Sequence, residues 1–352
     1  MKAWAVVRNN EPLECIEIET PEPTGTQVLL AVEACGVCHS DLHFWKGSYN
    51  LGSGRIMTLA DRGVTLPRAP GHEVVGRAIA AGPDATGVTL GESYIVYPWI
   101  GCGHCEDCAN EDDNLCTSQS SIGVMQHGGF AGAVVAPHPR YLVPLGSLDP
   151  ALASTFACSG ITVYSAIQKV MPLAPEKPIV LIGAGGLGLA AIAMLRAFGH
   201  KAIVSVDLDP AKRRAALDMG ATAAVDGSGE GVSERIIEAA GGPVRAVLDF
   251  VNATGTAAIG FGALAKGGRL VNVGVAGGEL RLSLAGMVFR ALSVVGSNTG
   301  SVKDLRAVVE LAKSGKLPST PVTRFAKDDA NLAMRKLKSG EITGRAVLVE
   351  AV

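Results

Sequence analysis

V-L-I-G-A-G-G-L-G, from Val180 to Gly188, decides how the second half of this chain folds. An apolar run leads into Gly183, Gly185 and Gly188 at G-x-G-x-x-G spacing, and the apolar helical stretch L-A-A-I-A-M-L-R-A-F-G follows. Glycines without a Cβ let backbone N–H groups and a helix N-terminus approach a pyrophosphate, so this is a dinucleotide-binding turn, with Gly186 and Leu187 inside it. Nineteen residues beyond Gly188, Asp207 closes the next strand, A-I-V-S-V-D. Its carboxylate is placed to accept from both hydroxyls of an adenosine ribose and to repel a 2′-phosphate, which favours NAD over NADP. Lys212, Arg213 and Arg214 follow it; three cations there can serve a phosphate, but they read better as a solvated helix face.

Outward from this turn, strands and helices alternate. P-I-V-L-I-G, A-I-V-S-V-D, A-V-L-D-F-V, R-L-V-N-V-G-V and L-S-V-V-G-S are apolar runs separated by helical segments, the pattern of a parallel doubly wound sheet covered on both faces. Before about residue 150 the rhythm differs. K-A-W-A-V-V, Q-V-L-L-A-V-E, V-V-G-R-A-I-A, S-Y-I-V-Y, F-A-G-A-V-V-A and Y-L-V-P-L are short strands broken by Gly, Pro and Asp turns. After Ser297 comes a helix with Ser301 as its N-cap, then a short helix and the strand R-A-V-L-V-E. This tail is expected to rejoin the β-rich part, so that residues 1–153 with 298–352 form one domain and residues 154–297 an inserted nucleotide domain.

Cys102, Cys105, Cys108 and Cys116 fall within fifteen residues, in a chain with eight cysteines. Four thiolates at this spacing reach the corners of one tetrahedron, the closed shell of a structural zinc. The lobe between them carries Glu106, Asp107, Glu111, Asp112 and Asp113 and has little apolar core of its own, so a metal staple is the better reading than packed free thiols. A second, scattered set is Cys38 in G-V-C-H-S-D, His72 in G-H-E and Cys158 in F-A-C-S-G. Three protein ligands and an open fourth position suit a catalytic zinc. Spacing alone leaves this site as open as its bland reading, a structural histidine and buried small cysteines. Asp41, near Cys38, is suited to accept the free N–H of a ligand histidine, and Glu73 stands beside that ligand. Cys15 and Cys35 are left as ordinary small apolar residues.

Composition narrows the field. The 352 residues carry 48% hydrophobic and 18% charged side chains and a formal net charge of −2, a core-rich globular chain without a basic face for nucleic acid or anionic membrane. No apolar run reaches spanning length, and M-K-A-W-A-V-V is not a signal peptide, so a cytoplasmic location is expected. In a reducing compartment clustered cysteines bind metal rather than pair.

G-V-C-H-S-D, G-H-E, the four-Cys lobe, C-S-G-I-T, G-A-G-G-L-G, V-D and the terminal G-R-A-V-L occur in one order, and together they resemble the zinc-dependent medium-chain alcohol dehydrogenases, closest to the NAD-dependent bacterial and archaeal branch. The resemblance covers essentially the whole chain. It implies an α/β protein with a GroES-like β-rich catalytic domain and a Rossmann coenzyme domain. It implies NAD and two zinc ions per chain as cofactors, the catalytic one on Cys38, His72 and Cys158 with Glu73 behind. Ser40 matches the hydroxyl that contacts the bound alcohol, and His43 the end of a proton relay. Thr162 matches a residue packed on the nicotinamide, with Val273, Val275, Ser297 and Asn298 along the same coenzyme. His39 and Arg345 match pyrophosphate contacts and Lys212 a ribose contact. Tyr97 and Trp99 are expected on the substrate pocket wall. A homotetramer is the expected assembly, with a dimer as the alternative.

The chemistry implied is transfer of a hydride from a primary or secondary alcohol to NAD, giving an aldehyde or ketone, with the proton leaving through Ser40, the nicotinamide ribose and His43. A polyol or sugar dehydrogenase on the same scaffold is the alternative; a zinc-bearing nucleic-acid-binding protein is the remote one, and the acidic lobe argues against it. Thirty-three residues separate Cys38 from His72, more than in the liver-type and yeast-type branches. The added segment, Leu51 to Arg68, is expected to border the cleft and pack Ile56, Met57, Leu59, Val64 and Leu66 over a substrate, or else to form a surface loop or subunit contact.

Overall fold

The computed structural model describes residues 1–350. Two main sheets draw on different stretches of the chain. Six parallel strands run in the order Ala223–Asp226, Ile203–Asp207, Ile179–Ile182, Val244–Asp249, Leu264–Asn272, Ser293–Gly296. This is a doubly wound order that reverses between Ile179–Ile182 and Val244–Asp249, and ligands bind beyond the carboxyl ends of strands at such a reversal. Ile179, Val180, Leu181 and Ile182 are all buried because helices cover both faces, hence the unbroken apolar run. The helix Gly186–Ala197 packs on that strand through Leu189 and Ile192, each fully buried and worth roughly 1.5–3 kcal/mol of transfer free energy.

The second sheet draws on both ends of the chain. Its seven strands include Val28–Val37, Glu73–Ala81 and Ser93–Val96 from the first half and Val322–Ala326 and Arg345–Val349 from the last thirty-odd residues. Two registers matter for function. Gly36 pairs with Glu73 across one edge of Val28–Val37, and Val37 pairs with Ala346 across the other. The end of one strand therefore meets the starts of two others at one point. The helix after Ser297 is Val302–Lys313. Ser301 caps it: its Oγ accepts from the Asp304 N–H at 3.2 Å, and the Ser301 N–H donates to Asp304 Oδ2 at 2.8 Å.

The segment after Leu51 is built rather than loose. Ser48–Asn50 and Ile56–Thr58 form an antiparallel hairpin, with Tyr49 opposite Met57. A one-turn 3₁₀ helix, Ala60–Arg62, follows.

Candidate active site and metal centres

Cys38 leaves the end of Val28–Val37, His72 immediately precedes Glu73–Ala81, and Arg345 opens the third strand, so the sheet register alone gathers them. Cys158 comes from the junction between the 3₁₀ turn Thr155–Ala157 and the helix Ser159–Gln168. The Cys38, His72 and Cys158 ligand atoms lie within 4.8 Å of one another. Asp41 orders two of them. One carboxylate oxygen accepts from the Cys38 N–H at 2.8 Å; the other lies 3.3 Å from His72 Nδ1 and accepts from the Gly71 N–H at 3.0 Å. That fixes the imidazole with Nε2 facing the two thiols. Among the described residues Nε2 is buried without a hydrogen-bond partner. A buried, unpartnered ring nitrogen between two sulfurs, with its other nitrogen held by a carboxylate, fits a zinc ligand set. The hydrogen bond from Cys158, together with His72, holds the Cys38 thiol well below its ordinary range, as a thiolate ligand requires.

Glu73 is fully buried beside this set. Its Oε2 accepts from Arg345 Nη2 at 2.6 Å and its Oε1 from the Ser159 N–H at 3.1 Å. Gly36 makes room for it, since a Cβ there would fall 1.9 Å from Glu73 Oε2.

Cys102, Cys105, Cys108 and Cys116 form the other cluster, also within 4.8 Å. Backbone N–H groups of His104 and Cys105 bring Cys102 down to about 6. Gly101 is required at the lobe's entrance, because a Cβ there would lie 2.3 Å from Cys108 Sγ. The lobe is moored by Glu111 to Arg306 (2.7 Å) and Asp112 to Lys303 (3.1 Å), and by a reciprocal pair in which Asn114 Nδ2 donates to the Asn298 carbonyl and Asn298 Nδ2 to that of Asn114. The lobe also reaches the cleft described next, which Asp112, Asn114 and Leu115 line, a role the sequence reading did not give them.

A cleft of about 1640 Å³ runs between the two sheets, larger than a typical single small-molecule pocket and of a size for a dinucleotide plus a substrate. Cys38, His72 and Cys158 lie on its floor, with Ser40, Asp41 and His43 beside them. Gly183, Gly185, Gly186, Leu187 and Gly188 edge it at the strand-order reversal. Gly183 sits at φ +96°, and its carbonyl oxygen lies 2.0 Å from where a Gly188 Cβ would be, so the turn closes only with glycine at both places. Gly186 faces Arg345, whose Cδ would be 2.6 Å from an added Cβ. Thr162, Val273, Val275, Ser297 and Asn298 line the stretch between turn and metal ligands, and His39, Lys212 and Arg345 also border the cleft. Ser297 Oγ is buried and unpartnered among the described residues.

Beyond the glycine turn Asp207 is anchored: Oδ2 accepts from the Ala184 N–H at 2.7 Å and Oδ1 from the Asp209 N–H at 2.9 Å. The three following cations separate. Arg213 donates to the Asp207 and Leu208 carbonyls and pairs with Asp226 at 3.3 Å, while Arg214 is exposed and pairs with Asp218 at 3.0 Å. Only Lys212 reaches the cleft.

Three expectations change. Tyr97 is not on the pocket wall; it is fully buried, stacked on Tyr141, and donates its hydroxyl to the Gly300 carbonyl at 2.8 Å. Trp99 does line the cleft, tilted against the His72 ring at 5.5 Å. Of the apolar residues of Leu51–Arg68, only Leu51 and Met57 border the cleft: Ile56 is exposed, Leu59 and Val64 belong to the core, and Leu66 packs against that core. Cys35 is buried as expected, whereas Cys15 is exposed. Tyr49, absent from the sequence reading, stacks on His43 at 5.3 Å with the Arg62 guanidinium 5.9 Å from its ring. Its position within strand-like, alternating S-Y-N was the available signal.

Residues 24–147 match the alcohol dehydrogenase GroES-like domain, and residues 186–314 match the zinc-binding dehydrogenase family. The NAD-dependent alcohol dehydrogenase of Sulfurisphaera tokodaii is 35% identical over 99% of this chain and 100% of its own length. The D-arabinose 1-dehydrogenase (NADP(+)) of Saccharolobus solfataricus is 30% identical over 99% of this chain and 97% of its own. Among solved structures, the alcohol dehydrogenase of Aeropyrum pernix superposes with a TM-score of 0.90 at 29% identity, covering 99% of this chain and 100% of that one. The chain belongs to the zinc-dependent medium-chain alcohol dehydrogenase family.

Proposed function

We propose that the protein is an NAD-dependent alcohol dehydrogenase that interconverts a primary or secondary alcohol with its aldehyde or ketone. One observation carries this reading: the Cys38–His72–Cys158 set, with His72 Nε2 unpartnered, opens onto the same cleft as the glycine turn and Asp207. When bound, a zinc ion on those ligands supplies Lewis acidity toward the alcohol oxygen, and NAD supplies the hydride acceptor.

The chain's own residues orient, exclude water and move the proton. Asp41 holds Cys38 and His72 in ligating geometry. Ser40 Oγ, 3.7 Å from Cys38 Sγ, accepts the hydroxyl proton as it releases its own toward His43, one turn further along the helix His39–Lys46, which passes it to solvent. Burial lowers the His43 pKa, which keeps its ring neutral and able to accept. Glu73 and Arg345 form the polar backing of the metal ligands, and Arg345 and His39 face the pyrophosphate. Thr162, Val273, Val275, Ser297 and Asn298 hold the nicotinamide half, Leu187 belongs to the turn at the pyrophosphate, and Asp207 and Lys212 hold the adenosine ribose. Asp207, with Arg213 and Arg214 engaged elsewhere, supports NAD over NADP.

Residues 1–153 with 298–352 form the catalytic part and residues 154–297 the coenzyme part, each chain carrying a second, structural zinc on the four-Cys lobe. A homo-oligomer, tetramer or dimer, is supported by Leu284, Val288 and Phe289, which are exposed on the helix Leu284–Arg290 beside the sheet-edge strand Ser293–Gly296. No single helix among the described residues is long and apolar enough to cross a membrane, and a cytoplasmic enzyme remains the reading. A sugar or polyol as substrate is favoured only by Asn114, Gln119 and Thr299 in the cleft wall, and by the D-arabinose 1-dehydrogenase relative. NADH formation across aliphatic, benzylic and polyol alcohols tests the reading: activity on alcohols with NAD supports it, and turnover confined to sugars supports the alternative.

A further inference from the structure

The hairpin Ser48–Thr58 is too small to hold itself. Strands of three residues are unstable alone in water, so its position must come from what it touches. Its tip is turned by Leu51 N–H to the Arg55 carbonyl and Arg55 N–H to that of Gly52, both at 2.9 Å. Leu51, Ser53, Gly54 and Arg55 are exposed there, yet Gly52 is buried. It is covered by the coenzyme part of the chain: a Gly52 Cβ would fall 2.9 Å from the Gly278 carbonyl oxygen. The approach is mutual, because a Cβ on Gly277, at φ +89°, would lie 2.6 Å from the Asn50 carbonyl oxygen. Ser53 Oγ donates to Glu279 Oε1 across the same seam.

Both sides of the seam lead to the reaction centre. The loop to Glu279 leaves Val273 and Val275 in the cleft and is pinned by Ala276 N–H to the Val251 carbonyl at 3.2 Å and Glu279 N–H to Thr254 Oγ1 at 3.0 Å. On the hairpin, the cross-strand pair Tyr49 and Met57 faces the cleft, with Tyr49 stacked on His43.

We propose that Ser53 and Glu279 are positioning residues: they latch the hairpin to the coenzyme loop, so that seating the coenzyme against Val273 and Val275 sets Tyr49 and Met57 against the alcohol and His43. This rests on the dehydrogenase reading for its catalytic consequence, not for the latch itself. The close approaches at Gly52 and Gly277 leave the seam no room for bulk at either position, and Glu279 supplies a side-chain acceptor that crosses it.

Glu279→Ala, Glu279→Gln and Ser53→Ala test it in the full-length, metal-loaded protein, by alcohol kinetics, NADH affinity and hydrogen exchange of the Leu51 and Arg55 amides. Loss of one hydrogen bond is expected to lower kcat/KM for alcohol roughly 3- to 10-fold in Glu279→Ala and Ser53→Ala, mainly through KM. NADH affinity should fall by no more than a similar factor in those two variants, since a latch that coenzyme tightens in turn tightens coenzyme, and Glu279→Gln, which keeps an acceptor, should behave as wild type. NADH should slow exchange at the two tip amides in wild type and Glu279→Gln, but not in Glu279→Ala. Wild-type alcohol KM and wild-type slowing in Glu279→Ala would overturn the latch, as would equal impairment in the Gln variant. Absence of NADH formation from any alcohol by the wild type would sink the dehydrogenase reading instead, while the exchange data still report on the latch.

Discussion

Arg345 Nη2 donates to Glu73 Oε2 at 2.6 Å, and both side chains are almost completely buried. The pair joins the strand that follows His72 to the glycine turn, since Arg345 also packs against Gly186. Removing one partner strands a charge in the interior. Arg345→Ala is expected to cost about 3–5 kcal/mol, as breaking buried pairs does, and to lower Tm accordingly. Glu73→Gln keeps an acceptor for Arg345 and should cost less. Thermal melts of both, with NAD affinity measured on whatever remains folded, check this; equal Tm for Arg345→Ala and wild type would mean the pair is structurally idle.

The two cysteine clusters should part under mutation. Cys38→Ala should abolish nearly all activity and remove one zinc while leaving the melting curve close to wild type. Cys105→Ala should lower Tm or solubility, because losing a structural zinc loses folding free energy directly. The lobe also carries Asn114 and Leu115 into the cleft wall, so any folded Cys105→Ala protein should show a raised alcohol KM. Metal analysis beside the melts separates the two outcomes.

Coenzyme choice should turn on Asp207. The wild type should favour NAD over NADP in kcat/KM, and Asp207→Ser should narrow the gap by removing both the acceptor and the repulsion. Lys212 is the cation left to serve a phosphate, so Asp207→Ser with Lys212→Ala should restore part of the preference. Equal use of both coenzymes by the wild type would contradict the assignment.

His43 gives a pH test. Burial depresses its pKa below the ordinary 6.5, so the folded protein favours the neutral ring. The stability this contributes is present above 6.5 and is lost as pH falls through the unfolded value toward the folded one. A proton-accepting His43 likewise persists below 6.5, which puts its acid limb in the alcohol-oxidation profile under that value. His43→Gln should remove that limb and slow oxidation by up to about 100-fold, the lower end of general-base contributions. An unchanged limb in the variant would assign it to another group.

What could be read in the sequence was what is local in sequence. The glycine turn and the four-Cys lobe each need only neighbouring residues, and the structure closes the one and gathers the four sulfurs of the other. Cys38, His72 and Cys158 become one site only through the registers Gly36–Glu73 and Val37–Ala346, which spacing cannot reveal; the family resemblance supplied what geometry later showed. Tyr97 was misplaced because Pro98 breaks the strand Ser93–Val96 before a new one begins at Trp99, so the two aromatics need not share a face. The hairpin's role lay out of reach for a similar reason: the carboxylate that meets Ser53 is 226 residues away.

In the proposed reaction an alcohol oxygen and NAD meet over a metal held by Cys38, His72 and Cys158. The most direct measurement is NADH formation from a panel of simple alcohols by the protein as purified, after zinc removal by chelation, and after zinc return, with Cys38→Ala in parallel. Alcohol-dependent NADH formation should be lost with the metal, return with zinc in the wild type, and stay lost in Cys38→Ala. Full activity in metal-free protein, or in folded Cys38→Ala, would contradict it.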